Sequence, residues 1–281
     1  MSFQEHISAI KRHFLTQKLD GFYKPRSKGK HILAFLFVGA LNIIFGSIST
    51  ILYSGLFEIS IPYTQDTDIK AYLPSGKIYL FLEMHDFYQT NLKYSKSISH
   101  DQLKGERPKN LKATEPLSYE GERVIYPAGI LPNSFPQDSF EIIGTEVGTE
   151  DISWKSERDS IKPSGYTRDE VASPPAWPVY KEIPDLHLNE RFVNWIYISP
   201  FPSFRKLWGT AYMDQEGDYT LKITSNFPYG KKYLTIAQSS VIGTKNYFIS
   251  VGMFFIGLVM ILASMLMYRS FLQSEPDDVI N

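Results

Sequence analysis

The chain has 281 residues, with 29 Lys and Arg against 30 Asp and Glu for a net charge of −1, and no cysteine. This balance offers no basic excess for nucleic acid, which is not an expected partner, and the missing cysteines rule out a disulfide-built domain. Two long uncharged stretches in turn exclude a wholly water-soluble protein.

The cytosolic tail expected at residues 1–31 is basic. Lys11, Arg12, Lys18, Lys24, Arg26, Lys28 and Lys30 stand against Glu5 and Asp20. Residues 32–57 (ILAFLFVGALNIIFGSISTILYSGLF) then contain no Asp, Glu, Lys, Arg or His. That exceeds the roughly 20 residues that cross a hydrocarbon core about 30 Å thick. The run begins too late and is too long for a cleavable signal peptide, so it is expected to be a retained anchor. The flanking Lys and Arg place the N-terminus in the cytosol by the positive-inside rule.

Along this first span Asn42, Gly46, Thr50 and Ser54 recur every fourth residue and share a slowly drifting stripe. Small residues let helices approach closely, and an Asn amide in hydrocarbon seeks a partner. The stripe is therefore expected to pack against the second span or a larger membrane protein. No ionisable group marks a substrate path within either span.

Residues 58–246 are expected to lie on the lumenal or extracellular side as a β-rich domain. The run after Gly217 alternates Tyr219, Leu221 and Ile223 with Thr220, Lys222 and Thr224, the period of a half-buried strand. Residues 77–83 and 233–241 also read as strands, and a β-sandwich is the simplest architecture for them. Residues 104–121 and 158–184, the latter holding Pro174, Pro175, Pro178 and Pro184, read as long surface loops. Residues 85–97 fit a short helix or an extended arm equally. The second span, residues 247–268, is as free of charge as the first, and residues 269–281 form a cytosolic tail beginning with Arg269. The expected fold is thus a membrane protein of α + β class: two transmembrane helices flanking a mainly antiparallel, β-sandwich-like domain with long loops.

No catalytic constellation emerges. Glu83, His85 and Asp86 lack a second cluster to complete a metal site. The pairs Glu157 with Asp159 and Asp214 with Glu216 sit in solvated-turn contexts unlike paired glycosidase carboxylates. No catalytic residue, metal, cofactor, disulfide or N-glycosylation acceptor is expected.

Five motifs, in order, resemble those of one family. DFYQTNLKYSKSISHDQLKG supplies Phe87, Tyr88, Gln89, Tyr94, Ser97, Gln102 and Leu103, and PAGILPNSFPQDSF supplies Pro127, Gly129, Asn133, Ser134, Asp138 and Phe140. FVNWIYISPFPSFRKLWG ends in Pro202, Phe204, Arg205, Lys206, Leu207, Trp208 and Gly209. GDYTLKITSNFPY ends in an Asn-aromatic-Pro run, and GTKNYF carries Gly243, Lys245, Asn246 and Phe248. The tail segment FLTQKL, with Phe14, Gln17 and Lys18, is a weaker match. Together they resemble the ligand-effect-modulator or cell division control protein 50 family, accessory subunits of type IV P-type ATPases that move phospholipid. Ala128 stands where that family usually has cysteine.

The resemblance implies a regulatory or chaperone subunit that supplies no reacting group. Its partner would be the ATPase alpha subunit in a heterodimer among membrane phospholipids. The implied role is in folding, export from the endoplasmic reticulum and transport activity, with residence in the endoplasmic reticulum, Golgi, endosomes or plasma membrane. Candidate contacts are Phe14, Gln17 and Lys18 in the tail, the Asn42, Gly46, Thr50 and Ser54 stripe, and Phe204, Arg205, Lys206, Lys245 and Asn246. Phe204 and Arg205 also admit a purely structural reading, Phe204 as core and Arg205 satisfying buried carbonyls or a carboxylate. The alternative function is a two-span channel subunit assembled as a homo-oligomer, with the Asn42 stripe lining its pore.

Overall fold

A computed structural model describes residues 15–16 and 28–273. They form two units: the pair of long helices and the domain of residues 51–246. The helices run Lys28–Ser54 and Tyr247–Gln273, 27 residues each. At 1.5 Å per residue each is about 40 Å long, more than a hydrocarbon core needs. Their most apolar portions reach mean hydropathies of 2.2 and 2.4. With this composition the chain is an integral membrane protein.

The helix pair is held by small residues. A Cβ on Gly39 would lie 3.0 Å from the Gly257 carbonyl oxygen and 2.8 Å from Ile261 Cγ1, and a Cβ on Gly257 would lie 2.9 Å from the Gly39 oxygen. Neither position admits a side chain, so the two backbones cross there at close range. Hydroxyls flank the crossing: Ser49 and Ser250 are joined at 2.9 Å, and Ser264 Oγ donates to the Ile32 carbonyl at 2.9 Å.

The domain contains ten strands: β1 (Glu58–Tyr63), β2 (Thr67–Leu73), β3 (Gly76–His85), β4 (Tyr119–Glu120), β5 (Arg123–Ile125), β6 (Ser139–Ile142), β7 (Val171–Ala172), β8 (Phe204–Met213), β9 (Gly217–Thr224) and β10 (Lys231–Ala237). An antiparallel sheet of order β1-β10-β3-β8 and another of order β2-β9-β6 share one hydrophobic cluster. A small third sheet joins β4, β5 and β7. In β3 the alternation of Ile78, Leu80, Leu82 and Met84 buries every second side chain, as a one-faced strand requires. Leu221 and Ile223 do the same in β9.

Strand β8 departs from simple alternation. Its register with β3 passes from Leu80↔Gly209 to Phe81↔Leu207, leaving Trp208 as an extra residue. This bulge lets Phe204 and Trp208, then Ala211 and Met213, all be buried although the parity changes between them. The Trp208 indole nitrogen donates to the Asp138 carbonyl at 2.8 Å, drawing β6 against the bulge.

Residues 104–121 and 158–184 lie largely at the surface, as expected, but each is pinned by buried side chains. Leu111, Thr114 and Ser118 in the first, and Ile161, Val171, Ala172 and Tyr180 in the second, are buried. Proline and polar residues suppress regular elements here without preventing burial, because side chains satisfy the irregular backbone. Thr114 and Ser118 both donate to the Leu111 carbonyl, Arg168 Nε donates to that of Tyr180, and the Tyr180 hydroxyl to that of Tyr126. Between residues 85 and 97 the chain forms one helical turn, Leu92–Ser95, capped by Asn91.

Candidate partner-contact surfaces

Phe14, Gln17 and Lys18 fall outside the described residues. Within the first long helix the four stripe residues have different environments. Gly46 sits on the helix–helix face, where a Cβ would meet the Ser250 oxygen at 3.3 Å. Asn42 Nδ2 donates to the Val38 carbonyl at 2.9 Å, Thr50 Oγ1 to that of Gly46 at 2.8 Å, and Ser54 Oγ to that of Ile51 at 2.8 Å. Each of these donors is taken up by a carbonyl of its own helix. The helix-pairing face runs instead through Gly39, Ile43, Gly46 and Ser49. Asn42 and Thr50 are half-buried beside that face and Ser54 is exposed.

On β8, successive residues have opposite faces and distinct roles. Phe204 is buried beside Phe87 and Trp195, with ring centroids 6.4 and 6.2 Å away. Arg205 points to the outer face, where Nε donates to Glu83 at 2.8 Å and a terminal nitrogen to Glu58 at 3.1 Å. Thr235 donates to Glu83 at 2.6 Å, and His85 lies 2.7 Å from it. The network thus crosses all four strands of the larger sheet, and Glu83 and His85 are engaged with each other rather than open to a metal. Burial raises the pKa of Glu83, but hydrogen bonds from His85, Thr235 and Arg205 outweigh it and hold the carboxyl below its usual range. Arg205 is correspondingly held above its ordinary value: burial opposes its charge, while Glu58 and Glu83 favour it.

Among the described residues no carboxylate lies within ion-pair distance of Lys206. Its ammonium donates to the Tyr197 carbonyl and lies 5.6 Å from the Phe204 ring centroid. Burial lowers its pKa from 10.5 to about 8, only partly offset by the charge of Glu157. Lys245 is half-buried and Asn246 is exposed, directly before the second long helix.

Several polar motif residues hold the domain's own backbone. Gln89 accepts from Ser199 N at 2.8 Å and donates to the Trp195 carbonyl. Gln102 donates to the Ile125 carbonyl at 3.2 Å and accepts from Ala128 N at 2.9 Å. Ser97 Oγ accepts from Ile130 N at 2.9 Å. All three side chains are buried. Ser134 Oγ joins Tyr94, Trp195 and the Leu131 carbonyl. Each fully paired amide or hydroxyl ties together segments far apart in sequence, where a lost partner would strand a buried polar group.

Asp138 is the densest of these junctions. Its carboxylate accepts from Tyr63 Oη at 2.8 Å, Lys232 Nζ at 2.8 Å, Asn226 N at 2.6 Å and Phe227 N at 2.9 Å. The Asp138 and Lys232 side chains are 0% and 3% exposed. Burial and the adjoining carboxylate push the Tyr63 phenol well above its usual range. A second junction forms where Glu190 accepts from the amides of Asp151, Ile152 and Ser153 at 2.7–2.9 Å and pairs with Arg158. Burial works against the Glu190 charge, yet these hydrogen bonds lower its pKa. Sequence spacing pointed to none of these pairings, since the partners of Asp138 lie in β1, β10 and the β9–β10 connection. Its place in a motif was the one available signal.

The chain matches the model of the LEM3 (ligand-effect modulator 3) family / CDC50 family over residues 60–276. It is 25% identical to ALA-interacting subunit 3 of Arabidopsis thaliana, covering 91% of this chain and 84% of that protein. It is 28% identical to phospholipid-transporting ATPase accessory subunit LEM3 of Saccharomyces cerevisiae, over 68% of this chain and 52% of that one. Cell cycle control protein 50B of Homo sapiens is also 28% identical, over 72% and 69%. The chain thus spans most of the plant relative and about half of the yeast one. The match reaches from β1 through both sheets and into the second long helix, and by it the chain belongs to the LEM3/CDC50 family.

Proposed function

We propose that this chain is the non-catalytic accessory subunit of a phospholipid-transporting ATPase and forms a heterodimer with the ATPase chain. The observation that carries the reading is the extent of the family match, residues 60–276, which takes in the domain and a membrane helix together. A relative matched over 68% of the chain bears the name of a phospholipid-transporting ATPase accessory subunit. ATP hydrolysis and lipid movement belong to the partner. This chain acts by binding: a subunit that prefers one conformation of its partner shifts that equilibrium by its difference in affinity between states. The same binding supports folding of the partner and its export from the endoplasmic reticulum. Both termini are cytosolic, with Lys11 to Lys30 beside the cytosolic leaflet, and the domain lies on the opposite side.

The test is purification of the tagged full chain from its own membranes. A large P-type ATPase should accompany it in equal amount, with lipid-stimulated ATP hydrolysis that fails when the chain is depleted. Recovery of a homo-oligomer that conducts ions, without an ATPase, would sink the proposal.

A further inference from the structure

Three of the motifs meet at one cavity of about 850 Å³ in the domain. The segment after β3 brings Phe87, Tyr88 and Asn91 to its wall, the Asn133–Ser134 turn forms a second side, and the β9–β10 connection brings Phe227 and Tyr229. Trp177 comes from the proline-rich segment. Among the described residues no Asp, Glu, Lys, Arg or His lines the cavity, in a chain that is 21% charged.

The wall combines two chemistries. Phe87 and Phe227 meet edge to face at 5.6 Å, and Phe227 and Tyr229 at 5.4 Å, so the Tyr229 ring rests on a packed base. Tyr88 and Tyr229 are nevertheless each 63% exposed. Beside these rings stand carboxamides with spare capacity. Asn91 Oδ1 accepts from Lys93 N and Tyr94 N, and Asn133 Oδ1 from Ala176 N. Their amide nitrogens, and both side-chain polar atoms of the half-buried Gln137, make no hydrogen bond among the described residues. The cavity therefore offers flat apolar surfaces, unpaired amide donors and acceptors, and no charge, within the size range of a small-ligand site.

We propose that this cavity binds a neutral saccharide, a pyranose face resting on the exposed tyrosine rings and its hydroxyls pairing with Asn91, Asn133 and Gln137. A quaternary ammonium would use the rings and find no carboxylate, and a proline-rich peptide, whose prolines carry no N–H, would pair with the Asn donors but leave the Gln137 carbonyl oxygen without a donor. The proposal concerns the domain alone and is independent of the ATPase reading.

The experiment uses the full chain in phospholipid nanodiscs, which unlike maltoside micelles present no sugar. Methyl mannoside, an N-acetylglucosamine oligomer and maltotriose are titrated by saturation-transfer NMR and by tryptophan fluorescence. At least one sugar is expected to bind. Tyr88→Ala and Tyr229→Ala should each weaken it about tenfold and Gln137→Leu about fivefold, with thermal unfolding unchanged. Absence of binding by every sugar, indifference to all three substitutions, or preference for tetramethylammonium or a proline-rich peptide overturns the proposal; for the last two probes the wild-type chain suffices. The same ring occurs on protein-linked glycans and on glycolipids, so a glycopeptide and a glycolipid in the disc are each tested as competitors. Displacement of the free sugar by either identifies the source, and displacement by neither counts against the site.

Discussion

Replacing Asp138 by Asn removes one charge from the most heavily bonded group in the domain and almost no volume. The carboxylate accepts from Tyr63, Lys232 and two backbone amides, all within 2.6–2.9 Å. An amide offers only one oxygen, so its NH2 must face either the Lys232 ammonium and Tyr63 hydroxyl or the two backbone N–H groups. In each case donors oppose donors, and Lys232 is left as a buried charge without a counter-ion. Breaking such a pair costs about 3–5 kcal/mol. For a domain of this size each kcal/mol moves the unfolding midpoint by roughly 2–4 °C, so a fall of about 6–20 °C is expected. The assay is thermal unfolding of the full chain followed by tryptophan fluorescence, with Trp208 bonded directly to the Asp138 carbonyl as an internal reporter. Lys232→Met and the double variant complete a cycle, in which the double variant should be less destabilised than the sum of the singles by about 2 kcal/mol. A midpoint within about 2 °C of wild type for Asp138→Asn, or strict additivity, would refute the assignment of this pair as a coupled anchor.

The remaining predictions concern other parts of the molecule. Lys206 has a folded pKa of about 8 against an ordinary 10.5, so between these values the unfolded chain binds more protons and stability rises with pH; the increment, up to roughly 3 kcal/mol, should be missing from Lys206→Met in matched unfolding curves at pH 7.5 and 10, pH values chosen to lie near the two ends of this window (~8 and ~10.5). In the helix pair, Gly39→Leu and Gly257→Leu should sharply lower the yield of folded chain, Gly46→Leu should do so more mildly, and Gly252→Leu, whose added Cβ has nothing within 4 Å, should not; equal yields from all four would remove the close crossing. Gln102→Leu strands the Ile125 carbonyl and the Ala128 amide and should destabilise by about 1–3 kcal/mol in denaturant titration, whereas the exposed Tyr88→Ala should change stability little.

What the sequence discloses depends on how local the controlling physics is. The two membrane helices are evident because apolar length is a property of one uninterrupted segment, and β9 is evident because its Leu221–Ile223 face repeats every second residue. The helix-pairing face was only half legible: a spacing of four selected Asn42, Gly46, Thr50 and Ser54, but a helix face mixes steps of three and four, as Gly39, Ile43, Gly46 and Ser49 do. Residues 158–184 were legible as a largely exposed segment but not in their anchors, because proline density signals irregular backbone and says nothing about which side chains turn inward, as Ile161 and Val171 do. The Trp208 bulge defeated alternation outright. The cavity was least visible of all, since Tyr88, Gln137, Trp177 and Tyr229 come together only after both sheets and the proline-rich segment are in place.

Gln89, Ser97 and Gln102 act as clasps between distant segments, and Gln102 does so at Ala128 itself. A clasp made of amide hydrogen bonds requires no oxidant to close and no reductant can open it. The domain should therefore mature without thiol chemistry, and dithiothreitol at any stage of its purification should leave its unfolding curve where it was.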